Sequence, residues 1–289
     1  MPKGFRVVAV GAIVVVGGVF GAAVALTRAK TYVPAMPAPN AEPGAPFDVA
    51  PWESLLERFA TRDGGLDYAA WRADAAARDA LDRFLAALAA AAPDTAADRF
   101  PDASHAVRCW LHGFQAIQVR TILDEAPATV LDVPAPLSAV EGDGLLRRRA
   151  LLFGGRARSA FGVVTRELAA LNRPRAFFGL GGVCPALGPI AARIPVGAGQ
   201  DAWLDARAEA FLDDPRELTV DVPTRTARLA WRAFFWRDLL QGGVRARASD
   251  PDATLLAALR AAAPASRRAV LDRLAGYRLA RLTPDWRVR

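Results

Sequence analysis

The sequence predicts a helix-rich α+β fold with a small antiparallel sheet, preceded by one N-terminal transmembrane helix. Helical periodicity recurs along most of the chain, whereas the few strand-like runs do not alternate regularly with helices. The 289 residues are 53% hydrophobic and 23% charged, which excludes a disordered chain. We therefore expect a packed globular part that buries a sizeable core.

The first element is a predicted membrane anchor. Residues 7–26 are twenty consecutive apolar or small uncharged residues, a length that matches the hydrocarbon core of a bilayer. A cleavable signal peptide is the alternative, with Ala23 and Ala25 forming the cleavage site. The apolar region of a signal peptide usually runs only about 7–15 residues, which favours the uncleaved anchor.

The anchor sets the expected topology. We assign residues 1–6 to the cytoplasm and 7–27 to a single span, because the α-amino group adds to the positive charge of the N-terminal flank. The globular domain is then expected on the extracytoplasmic side. Gly17 and Gly21 form a small-xxx-small pair that lets two membrane helices approach closely, so they are the candidate contact for a homodimer.

Residues 28–50 predict a proline- and alanine-rich stalk. Proline fixes φ and removes a backbone donor, so we expect an extended spacer that contributes nothing to a core. The globular domain is accordingly predicted over 51–289. The prolines of the stalk and its border are Pro34, Pro37, Pro39, Pro43, Pro46 and Pro51.

Within the domain, apolar residues at helical spacing predict most of the elements. Residues 79–92 place Leu81, Phe84, Leu85 and Leu88 on one face. The longest candidate, 103–125, spaces Val107, Trp110, Leu111, Phe114 and Ile122 for burial. The remaining predicted helices are 52–60, 160–171, 201–212, 252–262 and 266–275, and the predicted strands are 176–180, 218–222 and 277–281.

The basic charge does not indicate a nucleic-acid partner. The formal net charge is +7, but the lysines are only Lys3 and Lys30, and both lie beside the predicted anchor. A second arginine-rich stretch occupies the C-terminal tail, 265–289. A nucleic-acid-binding protein needs a concentrated basic face with stacking aromatics, and the mixed-charge body of the chain offers none. The triplet Arg147-Arg148-Arg149 is interpreted as a solvated face.

The two histidines of the chain lie on the longest predicted helix. His105, Cys109 and His112 are spaced four and three residues apart, which places them on one stripe. Adjacent members could chelate a transition metal or form a Cys–His pair. Three ligands from one helix suit one metal ion poorly, and no acidic residue joins the stripe. We therefore expect satisfied polar side chains here, without a metal or other cofactor.

The second cysteine, Cys184, lies in the turn GLGGVCPALGP, residues 179–189. Glycines before it and Pro185 after it predict a tight turn, a place where a reactive thiol can sit at a helix start. An exported domain meets an oxidising compartment, so a Cys109–Cys184 disulfide is one alternative and two buried free thiols are the other.

Six blocks in order resemble domain-of-unknown-function family 547. The resemblance spans the whole predicted domain and implies an α+β fold like that of cysteine peptidases or transglutaminases. Its Cys–His chemistry would fall to Cys184. The blocks are LDYAAW (66–71), CWLHGFQA (109–116), FGGRARSAFGVVTREL (153–168), PRAFFGLGGVCPAL (174–187), AEAFLDDPR (208–216) and TPDWRVR (283–289).

Departures from the family pattern indicate a degenerate cleft. The family's paired asparagines are His112 and Gln115 here, and the cysteine preceding proline survives as Cys184. We expect a non-catalytic domain that binds an unidentified protein or peptide; the alternative is a hydrolase or acyl transferase that uses Cys184 with His112. Other lost polar positions are Val163, Val164, Thr165, Phe177 and the pair Gly181-Gly182, while Asp285 and Trp286 remain.

Overall fold

The computed structural model describes residues 30–38, 44–62, 64–134, 138, 140–241 and 251–289. No helix in these ranges is both long and apolar enough to cross a bilayer. The predicted membrane span, 7–27, and its glycine pair, Gly17 and Gly21, lie outside the described residues.

Helices make up about half of the described residues, and the structure is helix-rich as the sequence predicts. They are α1 (Ala50–Phe59), α2 (Tyr68–Ala73), α3 (Ala75–Ala90), α4 (Ala103–Glu125), α5 (Asp143–Arg147), α6 (Ala160–Gly162, continuing as a π-helix over Val163–Leu168), α7 (Ala176–Gly179), α8 (Ala198–Asp213), α9 (Trp231–Phe235), α10 (Arg237–Gln241), α11 (Pro251–Ala262) and α12 (Ala265–Asp272). Short 3₁₀ turns occur at Ala97–Arg99, Val130–Asp132 and Pro185–Leu187.

The strands form two three-stranded mixed sheets, which corrects the prediction of one antiparallel sheet. In the first, β1 (Lys30–Tyr32) pairs parallel with β2 (Arg149–Phe153), and β2 pairs antiparallel with β3 (Arg156–Ser159). In the second, β4 (Leu218–Asp221) pairs antiparallel with β5 (Thr226–Leu229), which pairs parallel with β6 (Arg278–Arg281). The parallel pairings arise because long connections bring β1 and β6 back to their sheets, as parallel strands require.

Helix α4 runs through the middle of the core. Asp102 caps its start by accepting from the backbone N–H groups of Ser104 and His105. The predicted inward residues of α3 and α4 are all buried, and so is most of the opposite side of α4. Gly113 lets α4 approach β2 closely, since a Cβ there would overlap the ring of Phe153 on β2. Two of the three polar residues on the predicted stripe, Cys109 and His112, are therefore interior.

Segment 176–180 is a helix and not the predicted strand. Its core, α7, follows a turn in which Asn172 has a positive φ of 50°. Phe177 and Phe178 are fully buried and pack edge-on against Phe211 of α8. A short run that is apolar on every side has no periodicity to distinguish a buried strand from a buried helical turn, which explains the error.

The predicted stalk, 28–50, is part of the domain at both of its described ends. Lys30–Tyr32 is the strand β1, and Tyr32 packs against the core. Phe47 and Val49 are buried within it. The strand Lys30–Tyr32 precedes the first proline of the predicted stalk, and an extended segment of this kind can pair with a sheet edge, as this one does.

Candidate functional site

The only imidazole in the core belongs to His112, whose exposed fraction is 0%. Its Nδ1 lies 3.0 Å from Oε1 of Gln115, and its Nε2 lies 2.9 Å from Oε1 of Glu53. Gln115 donates its amide N–H to the carbonyl of Ala191, which turns its oxygen toward the imidazole. Both ring nitrogens are therefore engaged, one by the Gln115 amide and one by the Glu53 carboxylate.

Glu53 on α1 is the acidic partner of this imidazole. It also accepts two hydrogen bonds from the guanidinium of Arg108, at 3.2 and 2.7 Å, and one from the backbone N–H of Ile194 at 3.2 Å. Burial alone would raise the pKa of Glu53, but the hydrogen bonds from His112 and Arg108 outweigh it and lower that pKa to about 2. The carboxylate is therefore ionised at neutral pH.

Three buried side chains on α4, spaced three residues apart, form what we call the polar stripe: His112, Gln115 and Gln118. Gln118 accepts from the backbone N–H of Val183 at 3.4 Å and donates to the carbonyl of Phe114 at 3.1 Å. Buried backbone groups need partners, and the irregular segment 180–194 has few within itself. The polar stripe supplies them, directly or through Glu53, and fixes this segment to α4.

Cys184 begins the 3₁₀ turn of segment 180–194, and its exposed fraction is 1%. Burial, with a further contribution from the carboxylate of Asp285, raises the pKa of the thiol to about 12, although the backbone N–H groups of Leu187 and Ala186 oppose the shift. The thiol is therefore protonated at neutral pH.

The structure does not join Cys184 to an imidazole. Among the described residues, the hydrogen bonds and ion pairs of His112 involve only Gln115 and Glu53. The turn that carries Cys184 docks on Gln118, six residues and so about 9 Å along the helix axis from His112. Tyr68 on α2 interacts electrostatically with Cys184. Its buried hydroxyl has no hydrogen-bond partner in the described part of the chain. Burial, together with a thiolate at Cys184, raises the pKa of Tyr68.

His105 and Cys109, the other two residues of the predicted His105–Cys109–His112 set, serve helix capping and packing. His105 Nδ1 lies 3.0 Å from Oδ1 of the capping residue Asp102. Cys109 is 1% exposed and in the core, and burial raises the pKa of its thiol. Cys109 and Cys184 are free thiols, not a disulfide. Within the described ranges, no three His, Cys, Asp or Glu side chains come together in a way that could hold a metal ion.

Sequence reasoning missed Glu53. The only signal was an acidic residue on the mostly apolar buried face of the predicted helix 52–60, beside Trp52 and Leu56. Its pairing with His112 spans 59 positions of the chain. Glu53 on α1 thus supplies the carboxylate that the predicted His105–Cys109–His112 set on α4 lacks.

A groove runs along the surface beside Cys184. It consists of three adjoining hollows of about 70, 200 and 420 Å³, which share lining residues. Cys184 lines the smallest hollow, Trp231 lines the two larger ones, and Glu141 lines the far end. We call it the Trp231 groove. Its shared walls are Pro185, Arg216 and Arg289 between the first two hollows, and Trp231, Leu282, Thr283 and Pro284 between the second and third.

Polar contacts hold both ends of the groove, and those of Arg232 are buried. Arg232 donates two hydrogen bonds to Glu217, at 3.0 and 2.9 Å, and one to the carbonyl of Leu180 at 3.1 Å. Trp286 packs edge-on against Trp231 at 4.9 Å and donates to Glu141 at 3.4 Å. The walls are therefore formed before any ligand arrives.

The chain matches no protein-family model, no curated protein and no solved structure.

Proposed function

We propose that this protein is a single-pass membrane protein, anchored by residues 7–27, whose extracytoplasmic domain is a non-catalytic binding or scaffold module. The domain is a degenerate relative of domain-of-unknown-function family 547, with a fold related to cysteine peptidases or transglutaminases. Its ligand is a protein or peptide segment that occupies the Trp231 groove. The apolar run of 7–26 supports the anchor, and the six sequence blocks support the family.

The observation that carries the non-catalytic assignment is the double engagement of His112. A cysteine nucleophile needs a base that removes its proton, and a base needs a free lone pair. Both nitrogens of His112 are committed, to Gln115 at 3.0 Å and to Glu53 at 2.9 Å. His105 is bound to Asp102 at the start of α4. Cys184 retains its proton because burial raises the pKa of its thiol to about 12.

The groove supports the binding assignment. Trp231, Pro185 and Pro284 give it an apolar floor, and arginines stand at its rim. A preformed concave surface of this kind, with a few polar groups at its edge, is typical of ligand sites. An extended polypeptide suits its elongated form better than a compact metabolite, because the three hollows follow one another along the surface.

Thiol chemistry tests the non-catalytic assignment. Iodoacetamide applied to the native full chain at neutral pH should leave Cys184 unmodified, and the same treatment after unfolding in urea should modify both cysteines. Mass spectrometry of the peptides measures both outcomes. Hydrolysis of a model thioester that is lost equally in Cys184→Ala and His112→Ala, while both variants stay folded, would overturn the assignment.

Photo-crosslinking tests the groove. A benzoylphenylalanine at Thr283, an exposed groove residue, should yield one discrete protein adduct in the cells that make this protein. The matched control is Thr219, an exposed threonine on β4 outside the groove. The same adduct from both positions, or none from Thr283, would contradict a binding role for the groove.

A further inference from the structure

The domain begins almost immediately after the proposed membrane span. Residue 27 ends the span and Lys30 already belongs to β1, so only residues 28 and 29 connect them. Fully extended, the three peptide steps from 27 to 30 cover at most about 11 Å. The headgroup layer on each side of a bilayer is about 5–8 Å thick. The first residue of β1 therefore lies at the outer border of the headgroups.

Strand β1 is fastened to the domain and cannot lengthen this tether. Lys30 donates its backbone N–H to the carbonyl of Arg148 at 2.6 Å. Tyr32 donates its hydroxyl to Asp82 on α3 at 2.8 Å, and its ring lies 4.6 Å beneath the guanidinium of Arg120. Burial and the hydrogen bond to Asp82 raise the pKa of Tyr32 to about 12, so the hydroxyl stays a donor.

Basic and aromatic side chains surround the start of β1. Lys30 and Arg148 are exposed and make no ion pair with any described residue, whereas Arg147 pairs with Asp143 yet remains 49% exposed. The guanidinium of Arg147 lies 3.3 Å from the ring centroid of Phe161, which is half-buried. We call this surface, made of Lys30, Arg147, Arg148 and Phe161, the Arg148 pole. Acidic groups nearby are already paired: Asp124 and Glu125 with Arg149, and Asp143 with Arg147.

We infer that the Arg148 pole rests on the membrane surface and binds anionic lipid headgroups. The inference depends on the proposed anchor, 7–27, and adds where the domain sits relative to the bilayer. Lys and Arg beside a membrane are attracted to anionic headgroups, and a half-buried aromatic ring suits the interface. Strand β1 then points away from the bilayer, and the β2–β3 turn marks the distal end of the first sheet.

Depth-dependent quenching in reconstituted vesicles tests this orientation. The native cysteines are both 1% exposed, so a maleimide fluorophore attaches selectively to an introduced cysteine. Arg148→Cys places the label at the pole. Arg156→Cys is the matched control: it removes another exposed arginine, at the far end of the same hairpin, about 16 Å along β2. The full chain is inserted into vesicles of phosphatidylcholine, with or without phosphatidylglycerol, that carry a headgroup spin label.

The label at 148 should be quenched several-fold more than the label at 156. The ratio of quenching at 148 to quenching at 156 should rise with the phosphatidylglycerol content of the vesicles and fall as the salt concentration increases. Equal quenching at both positions would overturn the inference. So would a ratio that is indifferent to phosphatidylglycerol. An alkaline carbonate wash separates the two proposals, since a chain released by carbonate disproves the anchor. If carbonate leaves the chain in the vesicles but the label at 148 is not preferentially quenched, the anchor stands and only the contact between the Arg148 pole and the membrane is disproved.

Discussion

Glu53 and His112 meet in the interior with 2.9 Å between the carboxylate Oε1 and the ring Nε2, although 59 positions separate them in sequence. Around them, Arg108 and the backbone N–H of Ile194 complete the coordination of the carboxylate. The pair has the composition of a catalytic dyad, but both ring nitrogens of His112 and both oxygens of Glu53 already have partners in the interior. It holds segment 180–194 in place, and that segment carries Cys184 and one wall of the Trp231 groove.

Glu53 stabilises the fold through its contacts with His112, Arg108 and Ile194. Glu53→Ala should lower the free energy of unfolding by about 3–5 kcal/mol, because the buried ring of His112, the guanidinium of Arg108 and the backbone N–H of Ile194 all lose their acceptor. Urea titration measures the loss. Glu57→Ala is the matched control on the same helix: it breaks an exposed pair with Arg193 and should cost less than about 1 kcal/mol. Equal losses in the two variants would contradict the role of Glu53.

Acid should weaken the fold through the same carboxylate. The folded pKa of Glu53 is about 2, below its ordinary value of 4.5, so its contribution is complete above the ordinary value and is lost as pH falls toward the folded one. The loss is roughly 3 kcal/mol over that window. The free energy of unfolding of Glu53→Gln should therefore depend less steeply on pH between 4.5 and 2 than that of the wild type. Equal slopes of the free energy of unfolding against pH in the wild type and Glu53→Gln would refute the contribution of the Glu53 carboxylate to acid sensitivity.

The turn before Cys184 should not tolerate a side chain at Gly182. A Cβ there would overlap Oε1 of Gln118 and lie 2.7 Å from Cβ of Leu187. Gly182→Ala should destabilise the domain by about 1–3 kcal/mol, since both neighbours are buried. Gly199→Ala, in the exposed first turn of α8, has only an ordinary contact with Pro195 at 3.4 Å and should stabilise by about 0.5–1 kcal/mol. Thermal unfolding distinguishes these opposite signs.

Strand β1 should loosen when Tyr32 loses its hydroxyl. Tyr32→Phe removes the hydrogen bond to Asp82 and should lower the free energy of unfolding by about 1 kcal/mol. Hydrogen exchange should accelerate in β1 more than in β2. Tyr277→Phe is the control, because the hydroxyl of Tyr277 has no hydrogen-bond partner among the described residues while its ring lies beneath Arg225. A uniform acceleration across both sheets would argue against a local effect.

Much of the helical structure could be predicted from the sequence. The helix 103–125 has the predicted bounds, and the helices predicted at 52–60, 201–212 and 252–262 are found within a few residues of them. The candidate site was predicted less well. His112 and Cys184 were identified, but their relationship was not, because the partner of each belongs to a distant part of the chain.

The sequence by itself determined the long amphipathic helices, since amphipathic periodicity is a local property that needs no knowledge of the partner. Only the tertiary structure decided that the Lys30–Tyr32 strand joins a sheet, that β6 runs parallel to β5, and that Glu53 contacts His112. These are contacts between remote segments. Their free energy depends on burial and on satisfying polar groups across the fold, so no single stretch of residues encodes them.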